Sequence, residues 1–222
     1  MKPYLIILSS ILFLSSITND TLIIEDKSIP VTEQRIKNIK EYTRIRYGKA
    51  QVQIDPKIIV IHSTESRYHS NSVDNIREYF FDDSLRGRYY KSWNYIRRYG
   101  RLNVGTQFII DRDGTVYRLM PDLLIGRHCI GLDWCSIGIE NIGYNDLTQE
   151  QMIANVQLCE YLISKYPTIK YVIGHYEYRK FEKTDLWKEK SDMRTIKKDP
   201  GIFFMVQIKN QLKLRDVILE EI

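Results

Sequence analysis

Two short apolar runs rich in β-branched residues each end at a histidine: Ile58-Ile59-Val60-Ile61-His62 and Val172-Ile173-Gly174-His175. Runs this short and this apolar suit strands buried in a sheet, with polar chemistry confined to the strand ends. A third run, Ser136-Ile137-Gly138-Ile139-Glu140, brings a carboxylate out in the same way, and the strand it predicts extends to Ile142. Asp113-Gly114 separates Val104–Asp111 from Thr115–Leu119 and reads as a hairpin, because a tight turn there needs positive φ.

Helical segments fill the intervals. Thr32–Tyr47 carries Ile36, Ile39 and Ile45 at helical spacing, and Val73–Phe81 is also helical. Thr148 caps a helix, with Gln151 completing a capping box. The apolar stripe of that helix is Met152, Ile153, Val156, Cys159, Leu162, Ile163 and Tyr166. Asp199-Pro200-Gly201 starts a last helix with Phe204, Ile208 and Leu212 on one face. The order is helix, strand, helix, hairpin, strand, helix, strand, helix. It predicts an α/β fold: one domain with a mixed central sheet flanked by helices.

The chain has only four histidines, so two at strand ends is a pointed use of a scarce residue. Taken singly, His62 and His175 read as hydrogen-bonded core residues. Asp199 reads as a helix cap that Pro200 holds extended. Together with Glu140 they make up a hydrolytic zinc site: three protein ligands, an open position for water and a base nearby. His69 belongs to no motif and reads as surface.

The length of 222 residues suits one domain with additions. Lys2 followed by the apolar stretch from Tyr4 to Leu14 reads as a signal peptide or N-terminal anchor over residues 1–18, so an exported protein is expected: periplasmic, in the cell envelope or secreted. The apolar run falls short of the ~20 residues of a spanning helix, and no cysteine follows it to carry a lipid. Residues 19–50 read as a leader with a short helix, and 51–222 as the functional domain. Cys129, Cys135 and Cys159 form no disulfide framework. Cys129 and Cys135 could pair in an oxidising compartment, whereas Cys159 reads as a core thiol. A net charge of +5 fits an anionic partner without demanding one. Leu85–Arg101 interleaves Arg86, Arg88, Lys91, Arg97 and Arg98 with Tyr89, Tyr90, Trp93 and Tyr95. That mixture reads as a solvated amphipathic segment, or as a platform for an acidic glycan and its peptide.

The chain resembles the zinc-dependent N-acetylmuramoyl-L-alanine amidases, a family shared by cell-wall amidases, phage lysozyme-type amidases and peptidoglycan recognition proteins. The resemblance runs from about Lys57 to Gly201 and rests on motifs in order. They are Ile61-His62-Ser63-Thr64, then Phe108 to Tyr117 as the central hairpin, then Gly126-Arg127-His128-Cys129-Ile130-Gly131 for a Trp-His-Ala-Gly loop. After these come Ser136-Ile137-Gly138-Ile139-Glu140, Gly174-His175 and Lys197-Lys198-Asp199-Pro200-Gly201.

The resemblance implies zinc as cofactor, held by His62, His175 and Asp199. It implies Glu140 as general base, Lys197 as the charge that steadies the oxyanion, and His128, Arg127 and Thr106 on the substrate side. The chain departs from the pattern at several points. Thr106 and Gln107 stand where the family often has tyrosine, histidine or asparagine, and Arg127 replaces the usual tryptophan. The stretch from His175 to Asp199 is long and also contains Asp185 and Asp192, each an alternative third ligand.

The implied activity is zinc-dependent hydrolysis of the amide between N-acetylmuramic acid and L-alanine in peptidoglycan or muropeptides. A non-catalytic peptidoglycan-binding module is the alternative. The ligand set with Glu140 and Lys197 favours catalysis. Export and modest charge argue against a nucleic-acid partner, and a monomer with no stable membrane span in its mature form is expected.

Overall fold

Gly114, at φ 87°, turns the chain between Phe108–Ile110 (β3) and Val116–Arg118 (β4), which pair antiparallel with Phe108 opposite Arg118. The Asp111 amide donates to the Thr115 carbonyl at 3.0 Å and closes the expected hairpin. Its strands are shorter than the sequence predicts. Thr106 and Gln107, read as part of the first strand, instead use their side chains. Gln107 donates to the Leu124 carbonyl at 2.7 Å and accepts from the Gly138 amide at 2.7 Å. A computed structural model describes residues 22–64, 72–81, 99–215 and 219–220. His69, the segment 85–98 and the N-terminal stretch 1–18 lie outside the described residues.

The hairpin belongs to a six-stranded sheet. Its other strands are Ile24–Asp26 (β1), Ile58–Ser63 (β2), Ser136–Asn141 (β5) and Tyr171–Gly174 (β6). The order is β1-β4-β3-β5-β2-β6, and every pairing except the hairpin is parallel, so the sheet is mixed as expected. The strand β1 was not foreseen. Its three residues run parallel to β4, and Ile29 just beyond is buried in the core.

The helices are Glu33–Tyr47 (α1), Val73–Phe81 (α2), Gln149–Lys165 (α3) and Ile202–Leu214 (α4), with a 3-10 helix at His175–Lys183. Thr32 caps α1 by accepting the Arg35 amide at 3.1 Å, and Gly48, at φ 82°, ends it in the left-handed region where glycine is favoured. The buried face of α1 carries Ile39, Tyr42, Thr43, Arg46 and Tyr47, while Ile45 of the predicted stripe is exposed. Thr148 and Gln151 form the capping box read from the sequence.

Strand alternation decides which side chains meet which cluster. In β2, Ile59 and Ile61 join the main core with Ile137 and Ile139 of β5, Val156 and Leu162 of α3, and Ile208 and Leu212 of α4. Each fully buried side chain of this kind contributes about 1.5–3 kcal/mol. Ile58 and Val60 point to the opposite face, into a smaller cluster with Cys129, Leu132, Ile173, Tyr178 and Phe181. By the same alternation His62 falls on this second face. The three cysteines are free, buried thiols. Among the described residues no helix is long and apolar enough to cross a membrane.

Candidate active site

His62 and Glu140 are register partners on the neighbouring parallel strands β2 and β5, so their side chains leave the sheet on the same face. His175 follows β6, the other neighbour of β2, at the point where the strand turns into the 3-10 helix. Glu177 secures that turn. Its carboxylate accepts the Gly174 amide at 3.0 Å and pairs with Lys180 and Lys209, each at 3.0 Å. Asp199 arrives on a separate segment before a cis bond to Pro200, and its carbonyl accepts the Tyr176 amide at 3.2 Å. Asp199 is thereby tied to the start of the 3-10 helix.

Three ligand atoms converge. His62 Nδ1 lies 3.0 Å from His175 Nδ1; Asp199 Oδ2 lies 3.0 Å from His175 Nδ1 and 3.4 Å from His62 Nδ1. Metal–ligand bonds of about 2.0–2.1 Å in tetrahedral geometry separate ligand atoms by roughly 3.3 Å, so the spacing fits a small dication such as zinc. A second observation agrees: Asp199 Oδ1 is buried and finds no hydrogen-bond partner among the described residues. A carboxylate buried in this way is costly unless a cation compensates it. Asp185 and Asp192 are exposed and take no part in the cluster.

The electrostatics suit the same occupant. Burial, and then the proximity of His175, push the His62 imidazole down to about 4; burial likewise lowers His175. Both rings are therefore neutral at pH 7, as metal binding requires. Burial works against ionisation of Asp199, but its hydrogen bonds to His175 and His62 hold the carboxyl well below the usual range.

A cleft of ≈ 300 Å³ opens over the cluster, and His62, Thr106, Arg127, His128, Glu140, His175, Lys197 and Asp199 all line it. These eight residues named from the sequence are thus at one place, and the alternative ligands Asp185 and Asp192 are not among them. Their surroundings differ. Thr106 is buried and donates to the Phe108 carbonyl at 3.0 Å. The Arg127 guanidinium donates to the carbonyls of Gly100 at 3.2 Å and Leu102 at 2.8 Å and lies 4.8 Å over the Tyr42 ring. Lys197 lines the cleft while Lys198 is exposed, which is the alternation expected of an extended segment ahead of Pro200.

Sequence reading missed Tyr42, Arg46 and Asp133, which also line the cleft. Nothing local marks them. Tyr42 and Asp133 are hydrogen-bonded across 91 residues of chain, and Arg46 forms a fully buried ion pair with Glu189 at 2.8 Å. Of the basic aromatic segment, only Tyr99 to Arg101 are described; Arg46 lies 4.5 Å over the Tyr99 ring.

Fold and cluster together set three groups that could hold a metal ion, His62, His175 and Asp199, at one edge of a mixed α/β sheet. The chain belongs to the N-acetylmuramoyl-L-alanine amidase family, whose sequence profile matches residues 52–202. Among solved structures, a selenomethionine derivative of AmpD is 18% identical, with a TM-score of 0.52 over 84% of this chain and 93% of that one. The N-acetylmuramoyl-L-alanine amidase LysC from Clostridium intestinale URNW is 25% identical over 72% of this chain and 87% of that one, with a TM-score of 0.48. Bumblebee PGRP-SA is 22% identical over 73% and 87%, with a TM-score of 0.48. No curated protein matches the chain significantly.

Proposed function

We propose that this protein is a zinc-dependent N-acetylmuramoyl-L-alanine amidase that cuts the amide between the lactyl group of N-acetylmuramic acid and L-alanine in peptidoglycan or muropeptides. The observation that carries the reading is the convergence of His62 Nδ1, His175 Nδ1 and Asp199 Oδ2 beside Glu140 in one cleft. Zinc, when bound, supplies a Lewis acid and a water that ionises near neutral pH. Glu140, on the strand next to His62, takes the proton of the attacking water and returns it to the leaving nitrogen of L-alanine. Lys197 directs its charge to the carbonyl oxygen as negative charge develops there. Thr106, Arg127 and His128 line the same cleft, which supports assigning them to substrate binding.

Every residue of the proposed machinery comes from one chain, and we read the enzyme as a monomer. The substrate class supports action in the cell envelope or outside the cell, with residues 1–18 as the export signal or anchor. The packing of β1 and α1 into the sheet and core supports an amidase domain that includes both elements rather than one that starts at 51.

The test is digestion of a muropeptide with the zinc-loaded protein, read by mass spectrometry. The expected product is a stem peptide with a free L-alanine amine, lost after chelation and restored by zinc. Binding without cleavage by the zinc-loaded protein would overturn the catalytic reading in favour of a recognition module.

Lys197 and Lys198 provide an internal comparison on the same substrate. Lys197→Ala lowers turnover more than substrate affinity, because the charge acts on the transition state. Lys198→Ala leaves turnover near the native value. Equal and mild effects of the two substitutions would remove Lys197 from the oxyanion role.

A further inference from the structure

The His62 ring has two nitrogens with different partners. Nδ1 faces His175 and Asp199, while Nε2 lies 3.0 Å from Nδ1 of His128. A histidine that offers Nδ1 to a metal carries its proton on Nε2 and needs an acceptor there to fix both tautomer and ring orientation. His128 Nδ1 is that acceptor when the proton of His128 sits on its own Nε2, and the Ser136 carbonyl lies 3.4 Å from that Nε2. One tautomer of each ring therefore completes a chain from the Ser136 carbonyl through His128 to His62. The rings meet edge-on, 5.1 Å apart at 88°.

Two features hold His128 in this place. Gly138 on β5 leaves the space its ring occupies: a Cβ at that glycine would stand 3.0 Å from His128 Cγ and Cδ2. Asp133, fully buried, accepts the backbone amides of His128 (2.9 Å) and Cys129 through Oδ1. Its Oδ2 accepts the phenols of Tyr42 and, at 3.3 Å, Tyr47. Both tyrosines come from α1, which precedes the residues the family profile matches.

We propose that His128 is a positioning residue for His62, accepting its Nε2 proton so that Nδ1 is presented to the metal, and that Asp133, held by Tyr42 and Tyr47 of α1, fixes His128. The inference rests on the zinc reading above, and it makes α1 a support of the metal centre rather than a leader to it. It separates His128 from a role in substrate contact alone, since its effect is then felt before any substrate binds.

The test is zinc affinity, measured by chelator competition, for the native protein, His128→Leu and His128→Asn. The melting temperature of each metal-free protein and the visible spectrum of each cobalt-substituted one are recorded alongside. Leucine keeps bulk but offers no acceptor; the asparagine amide oxygen stands near the place of Nδ1. His128→Leu is expected to lose about 10–100-fold in zinc affinity and to shift the cobalt spectrum, with the metal-free melting temperature little changed. His128→Asn is expected to recover most of that affinity. Native affinity in His128→Leu, or equal weakening in both variants, overturns the proposal. If His128→Leu does not fold, the double variant Tyr42→Phe/Tyr47→Phe replaces it: weaker zinc binding supports the proposal and unchanged binding overturns it. A native protein that binds no zinc sinks the zinc reading itself; native binding with an unaffected His128→Leu sinks only the positioning role.

Discussion

His62→Ala abolishes stoichiometric zinc and, with it, hydrolysis. Four-ligand structural zinc sites bind with about 10–16 kcal/mol, or roughly 3 kcal/mol per ligand, so loss of one ligand costs on the order of a hundredfold or more in affinity. Here the loss is compounded by what remains. Asp199 stays buried, with Oδ1 unpartnered among the described residues, and keeps only His175 of its two imidazole neighbours. Metal analysis of the purified variant, with native protein in parallel, is the measurement. Retention of one zinc per chain in His62→Ala would show that the cluster is not the metal site. The fold is expected to survive, because His62 lies next to the last residue of β2 while the core contacts of that strand come from Ile58 to Ile61.

Glu140→Gln keeps zinc and fold but loses turnover by roughly a hundredfold or more, the range expected for a general acid–base group. The substitution preserves size and keeps an amide in the same buried position beside His62, but an amide cannot take the proton of the attacking water. The two variants thus dissect the cleft. One removes metal and activity together, and the other removes activity with the metal in place. Muropeptide cleavage near the native rate by Glu140→Gln would take Glu140 out of the mechanism.

Much of the site was legible because strand periodicity is local. Ile58 to Ile61 and Ser136 to Ile139 show where the strands lie, and once those strands pair in register, His62 and Glu140 share a face. The Asp113-Gly114 turn and the Thr148/Gln151 cap were legible for the same reason: each depends on backbone groups within a few residues. The strand β1 was not legible. Ile24-Glu25-Asp26 is too short and too polar to show a pattern, and it forms a strand because the edge of β4 is there to pair with it. The face of α1 was misjudged at Ile45 because Tyr42, Arg46 and Tyr47 are buried through partners elsewhere in the chain: Asp133 and Glu189.

The sequence alone determined the fold class, the positions of the central strands, and the histidines and carboxylates at their ends, since alternation and turn chemistry act over short distances. Only the tertiary structure decided that Asp199, and neither Asp185 nor Asp192, joins His62 and His175. Tertiary structure alone also brought Tyr42 and Arg46 of α1 to the cleft lining and gave His128 the far side of the His62 ring. Those outcomes depend on contacts between segments tens of residues apart. A buried polar group is stabilised by whichever partner the packed fold brings to it, and no local pattern records which partner that will be.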